Sequence, residues 1–317
     1  MMSLLDFLSD LGNPDLRFLP KALAVALMSS VVCGVVGCYV VLRGMAFIGD
    51  AVAHAVFPGL AVAFVVSGNL ILGGTLAGVV TAVLIAVFSQ TRRLREDSVI
   101  GVFFVASFAL GVVIISRAPG YAGSLQQFLF GSLAGVPDSD LVVIGVVGVV
   151  VLGLLMMLHH QLVAVTLDRD GARALGLPVL VYDLVLYVLV TLAVVISVQT
   201  IGNVLVLALL VAPAATARLL TDRLGVMMGL APAIGCTAAV VGIYVSWSWD
   251  LPVGASVVLV LAAFFLLAWL LAPRHGVVAA RVLDRRSRRP GTDGPLPVPP
   301  GRPVEHPPAR LLGTDRG

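Results

Sequence analysis

Long apolar runs dominate this chain and limit the folds that it can adopt. Eight of them are about 20 residues long, which is the length that a helix needs to cross the hydrocarbon core of a bilayer. They cover residues 22–42, 46–66, 70–88, 99–115, 141–158, 179–198, 226–245 and 253–271. Charged residues make up 12% of the chain, against about 25% in soluble domains, and the mean hydropathy is +1.07. The sequence therefore predicts an all-α, polytopic membrane protein with about 8–9 transmembrane helices.

A ninth apolar run, 204–212, is too short to cross a membrane by itself. The segment Gln199-Thr200-Ile201-Gly202-Asn203 precedes it, and Pro213 follows it. Because a proline inside a helix removes one backbone hydrogen bond, we predict a short or broken helix near 204–213. Such backbone is tolerated at membrane depth only where it is buried in protein or lines a cavity.

The two ends of the chain differ from its apolar centre. Residues 1–20 carry three aspartates and lack the basic start of a secretory signal, so we expect them to be retained as an N-terminal interfacial segment. Residues 21–273 form the predicted transmembrane domain. Residues 274–317 are rich in arginine and proline, with eight of the chain's 18 prolines at 290–308, and we predict a disordered cytoplasmic tail.

Basic residues predict the orientation, because cytoplasmic loops are enriched in arginine and lysine. The cluster at 92–95 and the tail at 285–289 should both be cytoplasmic. Nine crossings then place the N-terminus outside, although Arg17 and Lys21 oppose this orientation. The outer loops would carry Asp138, Asp140 and Asp250. We therefore expect a multi-pass protein of the cell membrane.

Asp50 and His54 are ionisable residues inside an apolar run. They are four positions apart, so on a helix they share one face. Pro58 has no N–H for the carbonyl of His54, and this carbonyl could be a further oxygen ligand. Carboxylate, imidazole and carbonyl groups suit a divalent cation of the first transition row. Ionisable groups at membrane depth are costly and indicate function, so we predict metal or proton handling; hydrogen bonds to neighbouring helices are the alternative.

Other polar residues carry less information. The chain has a single lysine, Lys21, and no GxxxxGK[ST] sequence, so it contains no P-loop for ATP. Nothing in its charge pattern indicates nucleic-acid binding. The three cysteines lie in apolar runs without CxxC spacing and are interpreted as small buried residues. Asp183 lies near the start of a run, from which it could extend to the membrane interface.

The segment 209–220 combines a proline with small residues and a basic end. One interpretation is a compact cytoplasmic helix of small residues with a basic end, which docks in a groove of a partner. An ordinary turn between two helices is equally compatible with these residues.

Several segments together resemble the permease subunit of the metal-ion ABC transporters that import manganese, zinc or iron. The similarity covers roughly residues 20 to 273. The matching segments are Leu42-Arg43-Gly44-Met45 continuing to Gly49-Asp50, His54-Ala55-Val56-Phe57-Pro58-Gly59, the entry to the fourth span at 95–101, Leu129-Phe130-Gly131-Ser132, the segment 209–218, and Asp250-Leu251-Pro252-Val253-Gly254. Phe57 and Gly44 depart from the residues that are usual in this family.

The resemblance implies an ABC importer permease fold and a set of partners. It implies two ATPase subunits on the cytoplasmic face, an extracellular solute-binding protein that delivers the metal, and a second permease copy. ATP would be used by the partner subunit, and the permease would hold no permanent cofactor. By the same resemblance, Asp50 and His54 line the metal path. The resemblance also implies a coupling helix from Pro213 to about Gly225. Its ATPase-coupling residues would be Pro213, Ala214, Ala215, Thr216, Ala217 and Arg218.

We therefore predict the permease subunit of an ABC importer for Mn²⁺, Zn²⁺ or Fe²⁺. Two alternatives remain open at the level of sequence. One is a proton-coupled metal carrier that acts without ATP, with Asp50 and His54 as a proton relay. The other is a permease for a chelated metal or a metal-containing cofactor. Affinity order does not select among the metals, because selection depends on geometry and supply.

Overall fold

The computed structural model describes residues 18–45, 47–66, 68–90, 96–116 and 137–272, together with isolated positions between 7 and 16. Several predictions concern residues outside these ranges. They are the disordered tail at 274–317, most of the interfacial segment at 1–20, the basic cluster at 92–95, and the matching segment at 129–132.

Every regular element in the described ranges is an α-helix. In chain order the helices are α1 (Phe18–Leu42), α2 (Ile48–Ala55), α3 (Phe57–Val65), α4 (Leu70–Phe88), α5 (Glu96–Ile115), α6 (Asp138–Met157), α7 (His159–Leu167), α8 (Arg169–Ala174), α9 (Val179–Ile201), α10 (Asn203–Leu220), α11 (Leu224–Trp249) and α12 (Val253–Leu271).

Nine crossings of a membrane fit the length and apolar composition of these helices. Eight are single helices, and the second crossing is α2 followed by α3, which together span residues 48–65. The short helices α7 and α8 connect the fifth crossing, α6, to the sixth, α9. The predicted all-α, polytopic fold with about 8–9 transmembrane helices is confirmed.

The predicted break near 204–213 lies instead at Gly202, between α9 and α10. Helix α10 continues from Asn203 to Leu220 with Pro213 inside it. Pro213 removes one hydrogen bond, but the helix packs closely on α1, α11 and α12, and this packing holds it together. Gly202 has φ 80° and ψ 159°, a conformation that is accessible essentially only to glycine.

Close packing of small residues brings the central helices together. Helices α1, α2–α3 and α9 have the largest share of buried residues, whereas α5, α6 and α12 have the smallest. At the α3–α4 contact a side chain at Gly59 would collide with the backbone of Gly73. A side chain at Gly37 of α1 would collide with the carbonyl of Leu210 in α10. Such contacts are typical of helices that associate in lipid.

Polar contacts mark the two ends of the bundle. Arg43, directly after α1, pairs with Asp183 near the start of α9. At the other end, Lys21 near the start of α1 pairs with Asp138 at the start of α6. We call the end with Arg43 the basic end; it is the end that the arginines predict to be cytoplasmic.

Candidate metal site

Helix α2 brings Asp50 and His54 together on one face. Nδ1 of His54 lies 2.9 Å from the backbone oxygen of Asp50 and 3.2 Å from its carboxylate oxygen Oδ1. The side chains are 32% exposed for Asp50 and 15% exposed for His54, although both belong to an apolar crossing. The predicted shared face is thus observed, and the Asp50 carboxylate keeps accessible surface in the single chain.

The two oxygens of Asp50 determine the tautomer of a neutral His54. Both oxygens are hydrogen-bond acceptors, so the ring proton lies on Nδ1, between them. Nε2 then carries the lone pair. A ring orientation fixed by a hydrogen bond at one nitrogen, with the other nitrogen available, is the usual arrangement for a metal-binding histidine.

Two phenylalanines of α5 hold the imidazole ring from the side. The ring centroids of Phe104 and Phe108 lie 4.9 and 5.0 Å from that of His54, with interplanar angles of 84° and 75°. These edge-to-face contacts restrict the rotation of the ring. The fourth crossing, which is otherwise the most exposed of the bundle, therefore has a positioning role at this site.

The chain breaks its helix just beyond His54. Helix α2 ends at Ala55, Val56 forms the junction, and Pro58 lies in the first turn of α3. A proline is well tolerated in the first turn of a helix, where its missing N–H breaks no hydrogen bond of that helix. The predicted single helix of the second span is therefore divided into two short helices beside Pro58.

Asn203 is a polar neighbour of His54 that the sequence did not indicate. It is the first residue of α10, and its Nδ2 lies 3.3 Å from both Nδ1 and Nε2 of the ring. Its side chain is buried. The available signal was an amide side chain next to a glycine inside an apolar region, but the sequence alone does not show which helix it faces.

No group of three or more histidine, cysteine, aspartate or glutamate side chains in the described ranges could hold a metal ion. Asp50 and His54 are thus a pair without a third ligand of these types. One carboxylate and one imidazole make a weak site, from which a bound ion can leave again.

The six residues predicted to couple to an ATPase lie at the end of α10. Pro213, Ala214, Thr216 and Ala217 are buried within the chain, and Ala215 is half-buried. Arg218 is exposed and pairs with Asp222 at 3.5 Å. The prediction that Pro213 starts a separate helix ending near Gly225 is wrong, because α10 continues through Pro213 to Leu220 and α11 begins at Leu224. The coupling role itself stays a prediction.

A second polar cluster, centred on Asp183, lies at the basic end. The Asp183 side chain is 1% exposed and forms ion pairs with Arg43 and Arg169, one at each carboxylate oxygen. Nε2 of Gln90 also approaches Oδ2 of Asp183, at 3.4 Å. Asp183 is therefore enclosed by protein at the basic end, where it joins α1, α4 and α8 to α9.

Helix α8 is built as a compact connector beside this cluster. Asp168 caps its start, with Oδ1 accepting the N–H groups of Asp170 and Gly171 at 3.1 and 2.9 Å. Arg173 in its last turn pairs with Asp170 at 3.1 Å and donates to Gln90 at 3.4 Å. Through Arg169 and Arg173, the short helix is fastened to the ends of the membrane crossings.

Comparison with known proteins places this chain in a transport family. Residues 15–272 match the family model described as the ABC 3 transport family. The chain belongs to this family. The manganese transport system membrane protein MntC of Halalkalibacterium halodurans is 41% identical over 271 residues, which cover 86% of this chain and 93% of MntC.

Two further proteins are similar to this chain over most of its length. The chelated iron transport system membrane protein YfeC of Yersinia pestis is 34% identical over 273 residues, which cover 86% of this chain and 92% of YfeC. A solved structure of PsaBC from Streptococcus pneumoniae in complex with Fab matches with a TM-score of 0.78 and 34% identity, covering 90% of this chain and all of that chain.

Family membership and fold agree with the sequence analysis. The resemblance to the permease subunits of metal-ion ABC transporters is confirmed. So are the ABC permease fold and the expected place of the chain as a multi-pass protein of the cell membrane. The roles of Asp50, His54 and the segment Pro213 to Arg218 stay predictions.

Proposed function

We propose that this chain is the membrane-spanning permease of an ABC importer and that it carries a divalent transition metal ion into the cell. The observation that supports this most directly is the Asp50–His54 pair on α2, which lies inside an apolar crossing and keeps part of its carboxylate accessible. An ionisable pair of this kind is costly in a membrane protein unless it serves the transported ion.

The chemistry of the pair favours an uncomplexed ion over a chelate. A carboxylate oxygen and a neutral imidazole nitrogen are ligands for Mn²⁺, Fe²⁺ and Zn²⁺, and a chelate would leave both without a metal to bind. Relatives are named for manganese and for chelated iron transport, so we propose Mn²⁺ and Fe²⁺ as the first ions to test.

Uptake of radioactive metal by cells that lack their own importers tests this assignment. The full transporter carries Asp50→Ala or His54→Ala, and we expect each change to abolish uptake while the protein still reaches the membrane. Asp97→Ala is the matched control, because this carboxylate is exposed at the start of α5 and has no part in the proposed metal path. Normal uptake by both Asp50→Ala and His54→Ala would refute the metal-path assignment.

A second copy of the chain would complete the path. A carboxylate that faced lipid with 32% of its surface exposed would be strongly disfavoured. We propose that the exposed side of Asp50 faces the same residue of a second permease copy across a water-filled path. Cross-linking of a cysteine introduced next to Asp50 in otherwise cysteine-free protein tests this: a disulfide-linked dimer is expected, and exclusively monomeric protein would contradict it.

ATP hydrolysis is assigned to a separate subunit, since the sequence has no P-loop. We propose that this ATPase docks on α7 and α8 at the basic end. Leu167 and Leu175 there are 70% and 79% exposed, and exposed apolar residues on helices outside the membrane crossings favour a protein contact. The opposite end, with Asp138, Asp140 and Asp250, would receive the metal from a solute-binding protein.

Co-purification of the ATPase separates the two candidate coupling segments. Leu175→Arg places a charge in the proposed docking surface, and we expect it to abolish co-purification and uptake. Ala215→Trp overpacks the end of α10, a type of change that costs about 1–3 kcal/mol in cores, and here the ATPase should still bind. If Ala215→Trp alone releases the ATPase, the coupling segment is Pro213 to Arg218 as the sequence predicted.

A further inference from the structure

We propose that Asn203 is a third protein contact of the transported metal, and that its amide oxygen favours Mn²⁺ over Zn²⁺. This proposal rests on the proposed function of Asp50 and His54 and adds a specificity-determining residue to that site. It also connects α10, the helix whose end lies at the basic end of the bundle, to the metal.

The amide of Asn203 has an oxygen without a partner. The residue is 3% exposed, and Oδ1 is buried with no hydrogen-bond partner in the part of the chain that the structure describes. Buried polar atoms of native proteins nearly always have a partner, and exceptions require a specific reason such as an ion or a functional role. Because Oδ1 belongs to a side chain that contacts the candidate metal ligand His54, a bound ion is a specific reason of this kind.

The amide nitrogen of Asn203 covers the ring nitrogen that would bind metal. Nδ2 is 3.3 Å from both Nδ1 and Nε2, and one amide nitrogen cannot align N–H bonds with both. Since the Nδ1 proton is directed to Asp50, Nε2 is the acceptor that the amide contacts when no ion is present. Rotation of the amide by about 180° exchanges Nδ2 and Oδ1 and presents an oxygen to an ion on Nε2.

The backbone fixes the position of this side chain. Gly202 adopts its positive φ directly before α10, and Asn203 is the first helical residue after it. Further along the same helix, Leu207 and Leu210 pack against Gly49 at the start of α2. Helices α2 and α10 are therefore held side by side with opposite directions, and this packing keeps Asn203 opposite His54.

The resulting donor set has a chemical preference. Asp50 supplies a carboxylate oxygen, His54 supplies Nε2, and Asn203 supplies a neutral oxygen. Carboxylate and carbonyl oxygens suit Mn²⁺, whereas sites of high zinc affinity rely on imidazole and thiolate. An oxygen at position 203 adds more to Mn²⁺ binding than to Zn²⁺ binding, and the ratio of the two affinities measures its contribution.

Equilibrium dialysis of the purified transporter in lipid nanodiscs, with Mn²⁺ and Zn²⁺ separately, tests the proposal. We expect Asn203→Leu to weaken Mn²⁺ binding by about tenfold, the lower end of the range for residues that support a metal site, and Zn²⁺ binding by much less. Asn203→Asp keeps an oxygen and should retain or raise the preference for Mn²⁺. Asn203→His should shift the preference toward Zn²⁺.

Thr200→Val is the matched control. Thr200 is buried on the preceding helix and donates to the backbone oxygen of Ser197 at 3.0 Å, so the substitution removes a buried polar group without touching His54. The ratio of its Mn²⁺ affinity to its Zn²⁺ affinity should equal that of the unmodified protein. If Asn203→Leu weakens the binding of Mn²⁺ and Zn²⁺ equally, or weakens the binding of neither ion, the proposal is overturned. Should the leucine variant not fold, a lowered preference for Mn²⁺ in Asn203→Asp overturns it.

The outcomes also separate this proposal from the function on which it rests. If Asp50→Ala and His54→Ala leave metal binding intact, the metal path itself is elsewhere. If both substitutions abolish metal binding while every Asn203 variant keeps the original ratio of Mn²⁺ to Zn²⁺ affinity, the assignment of Asp50 and His54 is correct. Only the role of Asn203 then fails.

Discussion

Two aspartates of the membrane crossings, Asp183 and Asp50, are in opposite situations. Both lie on apolar helices, where a carboxylate is costly. Asp183 is 1% exposed, and a guanidinium occupies each of its oxygens. Asp50 is 32% exposed and faces the imidazole of His54.

This difference indicates which carboxylate can accept a cation. Asp183 is surrounded by two fixed positive charges, which repel a metal ion and leave no oxygen to coordinate it. The imidazole beside Asp50 is neutral when it is a ligand, and the rest of the carboxylate remains accessible. A buried, fully paired carboxylate thus holds helices together, whereas a partly paired one can bind a transported ion.

Substituting Asp183 with asparagine should give the largest effect, on stability. Asp183→Asn leaves the guanidinium groups of Arg43 and Arg169 beside a neutral amide, and removing one partner of a buried ion pair costs about 3–5 kcal/mol. We expect a much lower unfolding temperature in detergent and less protein in the membrane. If the Asp183→Asn protein kept its stability but lost metal uptake, Asp183 would have the transport role and not the structural role.

The same chemical change at Asp50 should leave stability intact and abolish transport. Asp50→Asn preserves the shape of a half-exposed side chain, so its free energy of unfolding should stay within about 0.5 kcal/mol. Loss of the charged ligand should reduce metal uptake by about 100-fold, the upper end of the range for metal-site residues. Thermal unfolding and radiometal uptake on one preparation measure both; a destabilised variant would show that Asp50 resembles Asp183.

A smaller effect is expected at the aromatic residues that position His54. Phe108→Leu removes one edge-to-face contact of the ring, and such contacts contribute about 0.5–1.5 kcal/mol. Uptake should therefore fall by about threefold to tenfold, in a measurement of initial rate against metal concentration. Phe103→Leu is the control, because Phe103 packs against Phe88 at 5.3 Å. Equal losses in both variants would indicate a general packing defect of α5.

The exposed ion pair just at the end of α10, between Arg218 and Asp222, should give the smallest change in stability. Arg218 and Asp222 are 43% and 47% exposed and 3.5 Å apart, and exposed pairs contribute at most about 1 kcal/mol. Arg218→Ala should therefore unfold at nearly the same temperature as the original protein, in contrast to Asp183→Asn. A loss of ATPase binding without a loss of stability would support the coupling role predicted for Arg218.

Local properties of the sequence predicted much of this fold. The crossings follow from apolar runs of sufficient length, and the shared face of Asp50 and His54 follows from their spacing. The course of α10 could not be predicted locally. Its proline suggested a break, but packing on α1, α11 and α12 carries the helix through Pro213.

Residues distant in sequence account for what was missed at the polar sites. Asp183 pairs with Arg43 across 140 positions, and Asn203 approaches His54 across 149. Neither neighbour can be inferred without knowing which helices adjoin and how each is rotated. Four of the predicted coupling residues are buried for the same reason, because α10 directs them toward other crossings.

The pairing of Arg43 with Asp183 also sets an order for biogenesis. Arg43 leaves the ribosome with the first crossing, and its partner is synthesised 140 residues later, with the sixth. At about 5–20 residues per second, this interval is roughly 7–28 s. Throughout it, the guanidinium of Arg43 must remain at the aqueous border of the bilayer. The basic end therefore closes late, and chains that stall before Asp183 would expose an incomplete helix bundle to membrane quality control.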